Sequence, residues 1–247
     1  GILNVTPDSF ADGGRHNEFE AAVARGLAMI AEGVDIIDIG GESTRPGAER
    51  VSEEEEIARV IPVITELAKH GTVISIDTMR ASTAEAAIKA GASIINDVSG
   101  GLADPDMLQT VARLQVPYIA MHWRGQSKDM NSKAIYADVV SDVISELNER
   151  IDAALDAGIQ KDKLIIDPGI GFAKDAEHNW AIIDAIDQFV ALGYPVLVGG
   201  SRKRFLGGET PDEREQATIE LTKRLGTTGV WAVRVHSVKP HKEVLSQ

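Results

Sequence analysis

Cysteine is absent from the 247 residues of this chain, which excludes a disulfide, a thiolate metal site and a catalytic thiol. No apolar run approaches the roughly 20 residues that a membrane-spanning helix needs, so we expect no membrane association. Residues 1–5 show no charged segment followed by an apolar one, and we expect no signal peptide. A chain without disulfides suits a reducing compartment, and we expect the protein in the cytoplasm.

Positive charge is also scarce. The chain has 25 Lys and Arg residues against 38 Asp and Glu residues, and its formal net charge is -13. Such a protein repels nucleic acids and anionic membranes at long range, so we expect neither as a partner. An anionic small molecule would have to be bound by a local cluster of cationic side chains.

The hydrophobic pattern consists of eight short β-branched runs that alternate with stretches of helical period. Over a chain of this length, the alternation predicts a single-domain (β/α)8 TIM barrel that covers residues 1–247. A doubly wound open sheet is the main alternative. The predicted strands are 2–5, 34–39, 73–76, 93–98, 118–121, 164–166, 196–198 and 230–235.

The helical stretches separate most of these strands. Ser52 with Glu55, and Ser82 with Glu85, each fit a capping box, in which two side chains satisfy free backbone groups at the start of a helix. The predicted helices cover residues 18–32, 53–69, 83–90, 138–157, 178–192 and 213–225.

Polar residues gather at the carboxyl ends of the predicted strands and are almost absent from the rest of each run. In a barrel these ends meet at one mouth, where the active site is built. A single polar residue at a strand end often only caps the next helix, but so many together favour a site. They include Asn4, Glu42, Asp77, Asn96, Asp97, His122, Asp167, Ser201, Arg234 and His236.

At these positions the chain resembles the dihydropteroate synthases, enzymes of folate synthesis that join a pterin pyrophosphate to p-aminobenzoate. The resemblance covers essentially the whole chain, and it is specific because seven short motifs occur in the order found in that family. The motifs are Asn4-Val-Thr-Pro-Asp-Ser-Phe with Asp12-Gly-Gly, Gly41-Glu-Ser-Thr-Arg-Pro-Gly, Ser75-Ile-Asp-Thr, Asn96-Asp-Val-Ser-Gly, Asp167-Pro-Gly-Ile-Gly-Phe, Ser201-Arg-Lys-Arg-Phe-Leu-Gly and Arg234-Val-His.

The resemblance implies a binding site for a pterin ring, and the side-chain chemistry agrees with it. The Asp167 carboxylate suits an amino group beside a ring N–H, and the Asn96 amide suits an edge with both donors and acceptors. Lys203 would donate to the ring carbonyl. Taken singly, the aspartates also suit helix capping, and the apolar residues suit plain core packing. The implied pterin residues are Asp77, Asn96, Met121, Asp167, Phe172, Gly199 and Lys203.

A diphosphate pocket is predicted beside the ring site. Arg234 and His236 lie two positions apart in a predicted strand, so their side chains should point the same way. With Asn4 on the neighbouring first strand, they would bind the diphosphate of the substrate. The Asn4 amide oxygen also suits Mg²⁺, the cofactor that we expect. Without these neighbours, His236 would be interpreted as an ordinary strand-end histidine.

Two loops, residues 6–14 and 42–47, have the glycine and proline content of lids. By resemblance, they close over the pterin and shape the p-aminobenzoate pocket, where sulfonamides would compete. Loops of this composition are more often plain solvated connections. The implied p-aminobenzoate and lid residues are Phe10, Asp12, Thr44, Arg45, Pro46 and Ser201.

The expected reaction is an SN1-like displacement, in which diphosphate leaves before the amine attacks. The expected catalytic residues are Asp77, Lys203, Arg234 and His236. Three alternatives stay open: a methyltransferase that moves a methyl group from methyltetrahydrofolate to a corrinoid protein, a non-catalytic pterin-binding paralogue, and an aldolase that forms an imine at Lys203. The family resemblance also implies a homodimer.

Overall fold

The computed structural model describes residues 1–6, 14–42, 51–126 and 130–246. Within these residues, eight short strands alternate with helices along the chain. The strands are β1 (Ile2–Asn4), β2 (Ile36–Gly40), β3 (Val73–Asp77), β4 (Ile94–Asp97), β5 (Tyr118–Met121), β6 (Leu164–Asp167), β7 (Leu197–Val198) and β8 (Ala232–Val233).

The strands form a closed barrel in chain order. Strands β1 to β6 make one parallel sheet, and β7 pairs in parallel with β8. A parallel bridge from Ile166 to Val196 connects β6 to the residue before β7. Just beyond β8, Val235 O accepts a hydrogen bond of 2.8 Å from the Ile2 amide, which connects the last strand to the first. The predicted (β/α)8 barrel is therefore confirmed, and the open-sheet alternative is wrong.

The helices present one apolar face to the strands. In α2, the buried residues Val60, Val63, Ile64 and Leu67 follow the helical i, i+3, i+4, i+7 spacing. No helix among the described residues is long and apolar enough to cross a membrane. The helices are α1 (Gly14–Ala31), α2 (Glu53–Ala68), α3 (Ala81–Ala90), α4 (Met107–Leu114), α5 (Val139–Asp156), α6 (Ala176–Asp184), α7 (Ile186–Val190), α8 (Glu215–Leu225) and α9 (Lys239–Leu245).

The core has two layers because successive strand residues face opposite sides. In β4, Ile95 belongs to the large cluster that packs between the strands and the helices, whereas Ile94 belongs to a small cluster of its own inside the barrel. The inner cluster consists of Ile94, Ile119, Ile165 and Leu197, with Ile36 and Ala232 packed against it. Apolar side chains thus form one layer inside the barrel, and a polar layer follows further along the strands.

Two predicted features of the helices are wrong in detail. The predicted helix 178–192 is divided into α6 and α7 at Ala185, whose backbone leaves the helical region with φ -104° and ψ 21°. The capping box at Ser82 is absent because α3 already begins at Ala81, whose amide donates to Asp104 Oδ2 at 2.8 Å. The cap at Ser52 is present, and its side chain accepts from the Glu55 amide at 3.2 Å.

Two helices are missing from the sequence prediction, α4 with 8 residues and α9 with 7 residues. A helix of about two turns shows too few repeats of the apolar spacing to stand out in the sequence.

Candidate active site

The inner cluster of the barrel shows where the polar site lies. Residues two positions apart in a strand point to the same face, so the residue that follows each inner apolar residue by two also faces the interior. These positions form the next layer toward the carboxyl ends of the strands. They are occupied by Asp38, Asn96, Met121, Asp167, Gly199 and Arg234. Five of these six residues were predicted as pterin or diphosphate ligands, and Asp38 was not.

Arg234 lies at the centre of this layer, between two carboxylates. Its Nη2 donates to Asp77 Oδ2 at 2.6 Å, and its Nε donates to Asp38 Oδ2. The same Asp38 carboxylate accepts from Asn96 Nδ2 at 3.1 Å and from the Ser75 hydroxyl. Asp38, Asp77 and Asn96 are all buried. The structure therefore joins the predicted ring residues to the predicted diphosphate arginine through one hydrogen-bonded network.

Asp38 is the functional candidate that the sequence analysis missed. It lies inside the apolar strand β2, between the buried residues Ile37 and Ile39. A buried charge in such a run is costly unless it is paired and hydrogen-bonded. That cost is the signal that would have identified it.

Asp167 and Lys203 form the other side of the layer. Asp167 Oδ1 accepts from the Gly169 amide at 2.7 Å, and Lys203 Nζ donates to the Ile170 carbonyl. A Cβ atom at Gly199 would lie 3.8 Å from Asp167 Oδ2 and 3.9 Å from Arg234 Cβ. Gly199 thus borders both Asp167 and Arg234, which connects the two halves of the polar layer.

The two predicted apolar ring contacts also meet. Met121 is buried with Met79 and Val98, and Phe172 packs against the same cluster. Lys203 Nζ lies 4.4 Å from the centre of the Phe172 ring. The structure therefore brings Met121 and Phe172 to the side of the polar layer formed by Lys203.

His236 lies just beyond the last strand. Strand β8 ends at Val233, but backbone pairing continues past it, because the Arg234 amide donates to Val198 O at 3.0 Å and Val235 O accepts from the Ile2 amide at 2.8 Å. His236 Nδ1 contacts the Ser201 hydroxyl at 3.0 Å, and its carbonyl accepts from Arg25 Nη2 at 3.0 Å. The structure brings His236 to Ser201, a predicted p-aminobenzoate residue.

Asn4 ends β1 at the same level of the barrel as Asp77. It pairs in register with Gly40, which pairs in register with Asp77. Among the described residues, no group of three or more His, Cys, Asp or Glu side chains is placed to hold a metal ion.

A cavity of about 410 Å³ adjoins the polar layer on its amino-terminal side. Its lining includes Asp38, Asn96 and Arg234, and it also includes Val34 and Trp231, which precede β2 and β8. We place the active site at the other end of the strands, because the polar residues and the loops that follow them converge there.

Comparison with known proteins assigns this arrangement to a family. The family of pterin binding enzymes matches residues 1–236 of the chain. The dihydropteroate synthase of Mycobacterium leprae (strain TN) is 48% identical over an alignment of 255 positions, which covers 99% of this chain and 90% of that protein. The chain belongs to the dihydropteroate synthase family.

Solved structures of dihydropteroate synthases agree with the fold. The Xanthomonas albilineans enzyme with 4-aminobenzoic acid has a TM-score of 0.94 and 45% identity, and the match covers 100% of this chain and 89% of that chain. The Yersinia pestis enzyme in a sulfonamide complex has a TM-score of 0.93 and 39% identity, and the match covers 100% of this chain and 90% of that chain.

Five residues expected in the lids of a dihydropteroate synthase lie outside the described residues. They are Phe10, Asp12, Thr44, Arg45 and Pro46. The described residues that flank the second segment are both bound by Arg80. Its Nη1 donates to Glu42 Oε2 at 2.8 Å, and its Nη2 donates to Val51 O at 2.5 Å.

The polar layer has the perturbed acid and base groups of a functional site. Burial raises the pKa of Asp77 to about 7, against the charge of Arg234 and together with that of Asp38. Burial also raises the pKa of Asp167, against its hydrogen bond from the Gly169 amide. For the same reason the pKa of Lys203 falls to about 8, although the charge of Asp167 opposes the change.

Proposed function

We propose that this chain condenses 6-hydroxymethyl-7,8-dihydropterin pyrophosphate with p-aminobenzoate to give 7,8-dihydropteroate and diphosphate. The observation that carries the proposal is the polar layer. It places hydrogen-bonding carboxylates beside an arginine, and this suits a ligand with a hydrogen-bonding ring and an anionic tail. Membership of the dihydropteroate synthase family supports the same reaction.

The pterin ring is bound by the carboxylate side of the layer. Asp167 accepts hydrogen bonds from the ring amino group and from the adjacent ring N–H. Asn96 binds the edge of the ring that carries both donors and acceptors. Lys203 donates to the ring carbonyl, and Asp77 lies against the remaining ring N–H. Met121 and Phe172 pack on the faces of the ring, where their common cluster supports this role.

The diphosphate is bound by Arg234, His236 and Asn4. The arginine is the strongest part of this assignment, since its guanidinium is always protonated and can bind two phosphate oxygens at once in a bidentate arrangement. Asn4 would hold a Mg²⁺ ion through its neutral amide oxygen, and the ion would supply positive charge against the diphosphate.

The displacement is SN1-like. The C–O bond between the pterin methylene and the diphosphate breaks, and the electron pair leaves with the diphosphate. Arg234 stabilises the negative charge that develops on the leaving group, and Asp77 and Asp167 stabilise the positive charge on the ring. The amine nitrogen of p-aminobenzoate then attacks the methylene and releases one proton. No covalent bond to the protein is needed.

The p-aminobenzoate pocket is assigned to Ser201 and to the lid residues Phe10, Asp12, Thr44, Arg45 and Pro46. Relatives crystallised with 4-aminobenzoic acid and with a sulfonamide support a pocket that takes both molecules. We therefore propose that sulfonamides compete with p-aminobenzoate here. We also propose a homodimer, which light scattering would test, and a cytoplasmic location, which suits a chain without cysteine.

The deciding experiment incubates the protein with the pterin pyrophosphate, p-aminobenzoate and Mg²⁺. We expect dihydropteroate and diphosphate in equal amounts, and loss of both when Mg²⁺ is chelated. Pterin binding without turnover would instead indicate a non-catalytic paralogue. Methyl transfer from methyltetrahydrofolate would indicate the corrinoid methyltransferase, and borohydride trapping of an imine at Lys203 would indicate the aldolase.

A further inference from the structure

A buried lysine, Lys174, lies in the loop between β6 and α6, outside the residues assigned to the ligands. It is only 8% exposed. Its Nζ donates to Gly169 O and to Phe172 O, both at 3.1 Å, and to His122 Nδ1 at 2.9 Å. An ammonium group has three N–H donors and no acceptor, so these three partners satisfy it completely.

The contact with Lys174 fixes the protonation of His122. Because the ammonium group can only donate, His122 Nδ1 accepts, and the ring proton lies on Nε2. That nitrogen faces Glu146 Oε2 at 2.9 Å, which is a suitable acceptor. Burial, and then the charge of Lys174, lower the pKa of His122 to about 4, in agreement with a neutral ring.

The network continues beyond His122 and returns to the same loop. Arg124 Nε donates to both carboxylate oxygens of Glu146, at 3.1 and 3.0 Å. The Arg124 guanidinium lies 3.8 Å from the centre of the Tyr136 ring. The Tyr136 hydroxyl donates to Ala173 O at 2.9 Å. The loop is thus bound at Lys174 and at Ala173 by one closed set of contacts.

The backbone of this loop needs such support. Three alternate residues have positive φ angles, which are 70° at Gly169, 78° at Gly171 and 48° at Ala173. A residue with a Cβ atom is strained in this region, so Ala173 does not adopt it without help from its surroundings. The conformation therefore depends on the side chains that bind the carbonyl groups of the loop.

The loop also carries two parts of the proposed pterin site. Its Ile170 carbonyl accepts from Lys203 Nζ, and its Phe172 ring packs against the cluster that contains Met121. A shift of the loop would therefore displace Phe172 and Lys203 together.

We infer that Lys174 is a positioning residue of the pterin site, which holds the loop so that Phe172 and Lys203 meet the ring. The inference rests on the proposed function. A buried charge is costly, and a well-packed apolar side chain often replaces one without loss of stability. A lysine at this position is therefore explained by its three donors rather than by packing.

The test replaces Lys174 with methionine, an unbranched side chain that lacks only the terminal position of lysine and carries no donors. Calorimetric titration with 6-hydroxymethylpterin should show a rise in Kd of about tenfold or more, because small displacements of a binding group are costly. At saturating pterin pyrophosphate, the KM for p-aminobenzoate should stay within about twofold of wild type, because the described contacts of Lys174 are with His122 and with the loop that carries Phe172.

A second variant and a control complete the test. Tyr136→Phe removes only the hydroxyl that binds Ala173 O, and we expect a smaller, severalfold rise in the pterin Kd. This variant keeps the inference testable if Lys174→Met does not fold. Lys89→Met on α3 removes an exposed lysine and should leave both constants unchanged.

An unchanged pterin Kd in a folded variant would overturn the inference. An equal rise in the KM for pterin pyrophosphate and in the KM for p-aminobenzoate would overturn it as well. If the wild-type protein does not bind 6-hydroxymethylpterin, the proposed function itself fails and the inference falls with it.

Discussion

Asp77 should limit the stability of the fold while it promotes the reaction. The Asp77 carboxylate is buried beside one cation, Arg234, while the carboxylates of Asp38, Glu56 and Asp97 oppose its ionisation. Burial among like charges disfavours the ionised form in the free protein, whereas the negative charge of that form favours a cationic transition state. Asp77→Asn tests both effects, because the amide keeps an oxygen that accepts from Arg234.

Ionisation of Asp77 should lower the unfolding free energy of the protein. Burial raises the pKa of Asp77 from 3.8 to about 7, so the folded state binds this proton more tightly than the unfolded state does. The contribution of Asp77 to stability is therefore highest below about pH 4 and is lost as the pH rises to about 7. Relative to wild type, Asp77→Asn should gain about 2–4 kcal/mol of unfolding free energy between about pH 4 and about pH 8.

The effect on turnover has the opposite sign. Two unit charges about 5 Å apart in a partly buried site interact by about 3 kcal/mol at an effective dielectric constant of about 20. Loss of the Asp77 charge should thus lower kcat about 100-fold. The pterin KM should change by less than about tenfold, because the ring carries no positive charge in the ground state.

The assays are urea unfolding at a series of pH values and steady-state kinetics at about pH 8. Asp152→Asn, which removes an exposed carboxylate on α5, is the control and should change neither result. An Asp77→Asn variant that is less stable than wild type across the whole pH range would refute the predicted charge effect. An equal fall in kcat and in pterin affinity would refute it as well.

Three further predictions concern the polar layer and the loop after β6. Asp38→Asn leaves Arg234 with one carboxylate partner, so urea unfolding should show a loss of about 1–3 kcal/mol in unfolding free energy. The acid limb of the pH profile of kcat should also move to lower pH, because Asp38 no longer raises the pKa of Asp77. Gly169→Ala places a Cβ atom 2.4 Å from His122 O at a φ of 70°, and urea unfolding should show a loss of more than about 2 kcal/mol in unfolding free energy. The control Gly193→Ala has a similar φ of 78° but no atom within 4 Å of the added Cβ, so it should lose only about 1 kcal/mol. Pterin binding to wild type should weaken as the pH rises through about 8, where Lys203 loses its proton, and calorimetry of Lys203→Met should show weaker binding without this dependence.

The barrel and most of its polar layer could be predicted because both depend on local patterns. Alternation of strands with helices gives the fold class, and strand ends in a barrel always meet at one mouth. The limits of the last strands could not be predicted in this way. Strands β7 and β8 have only two residues each, so the predicted strand 230–235 is shorter in the structure.

Contacts between residues far apart in the chain could not be predicted from the sequence. The Arg234 partner Asp38 lies 196 positions away and was hidden inside an apolar run. Lys174 and His122 are 52 positions apart, and the role of each follows only from the number of acceptors around the ammonium group. Sequence patterns identify which residues are unusual, but three-dimensional packing decides which of them meet.

A crystal structure with bound 6-hydroxymethylpterin tests the central claim most directly. We predict that the ring amino group and its neighbouring N–H lie about 3 Å from the Asp167 carboxylate, with the ring carbonyl at Lys203 Nζ. A ring bound instead in the cavity at the amino ends of the strands, beside Val34 and Trp231, would contradict the account.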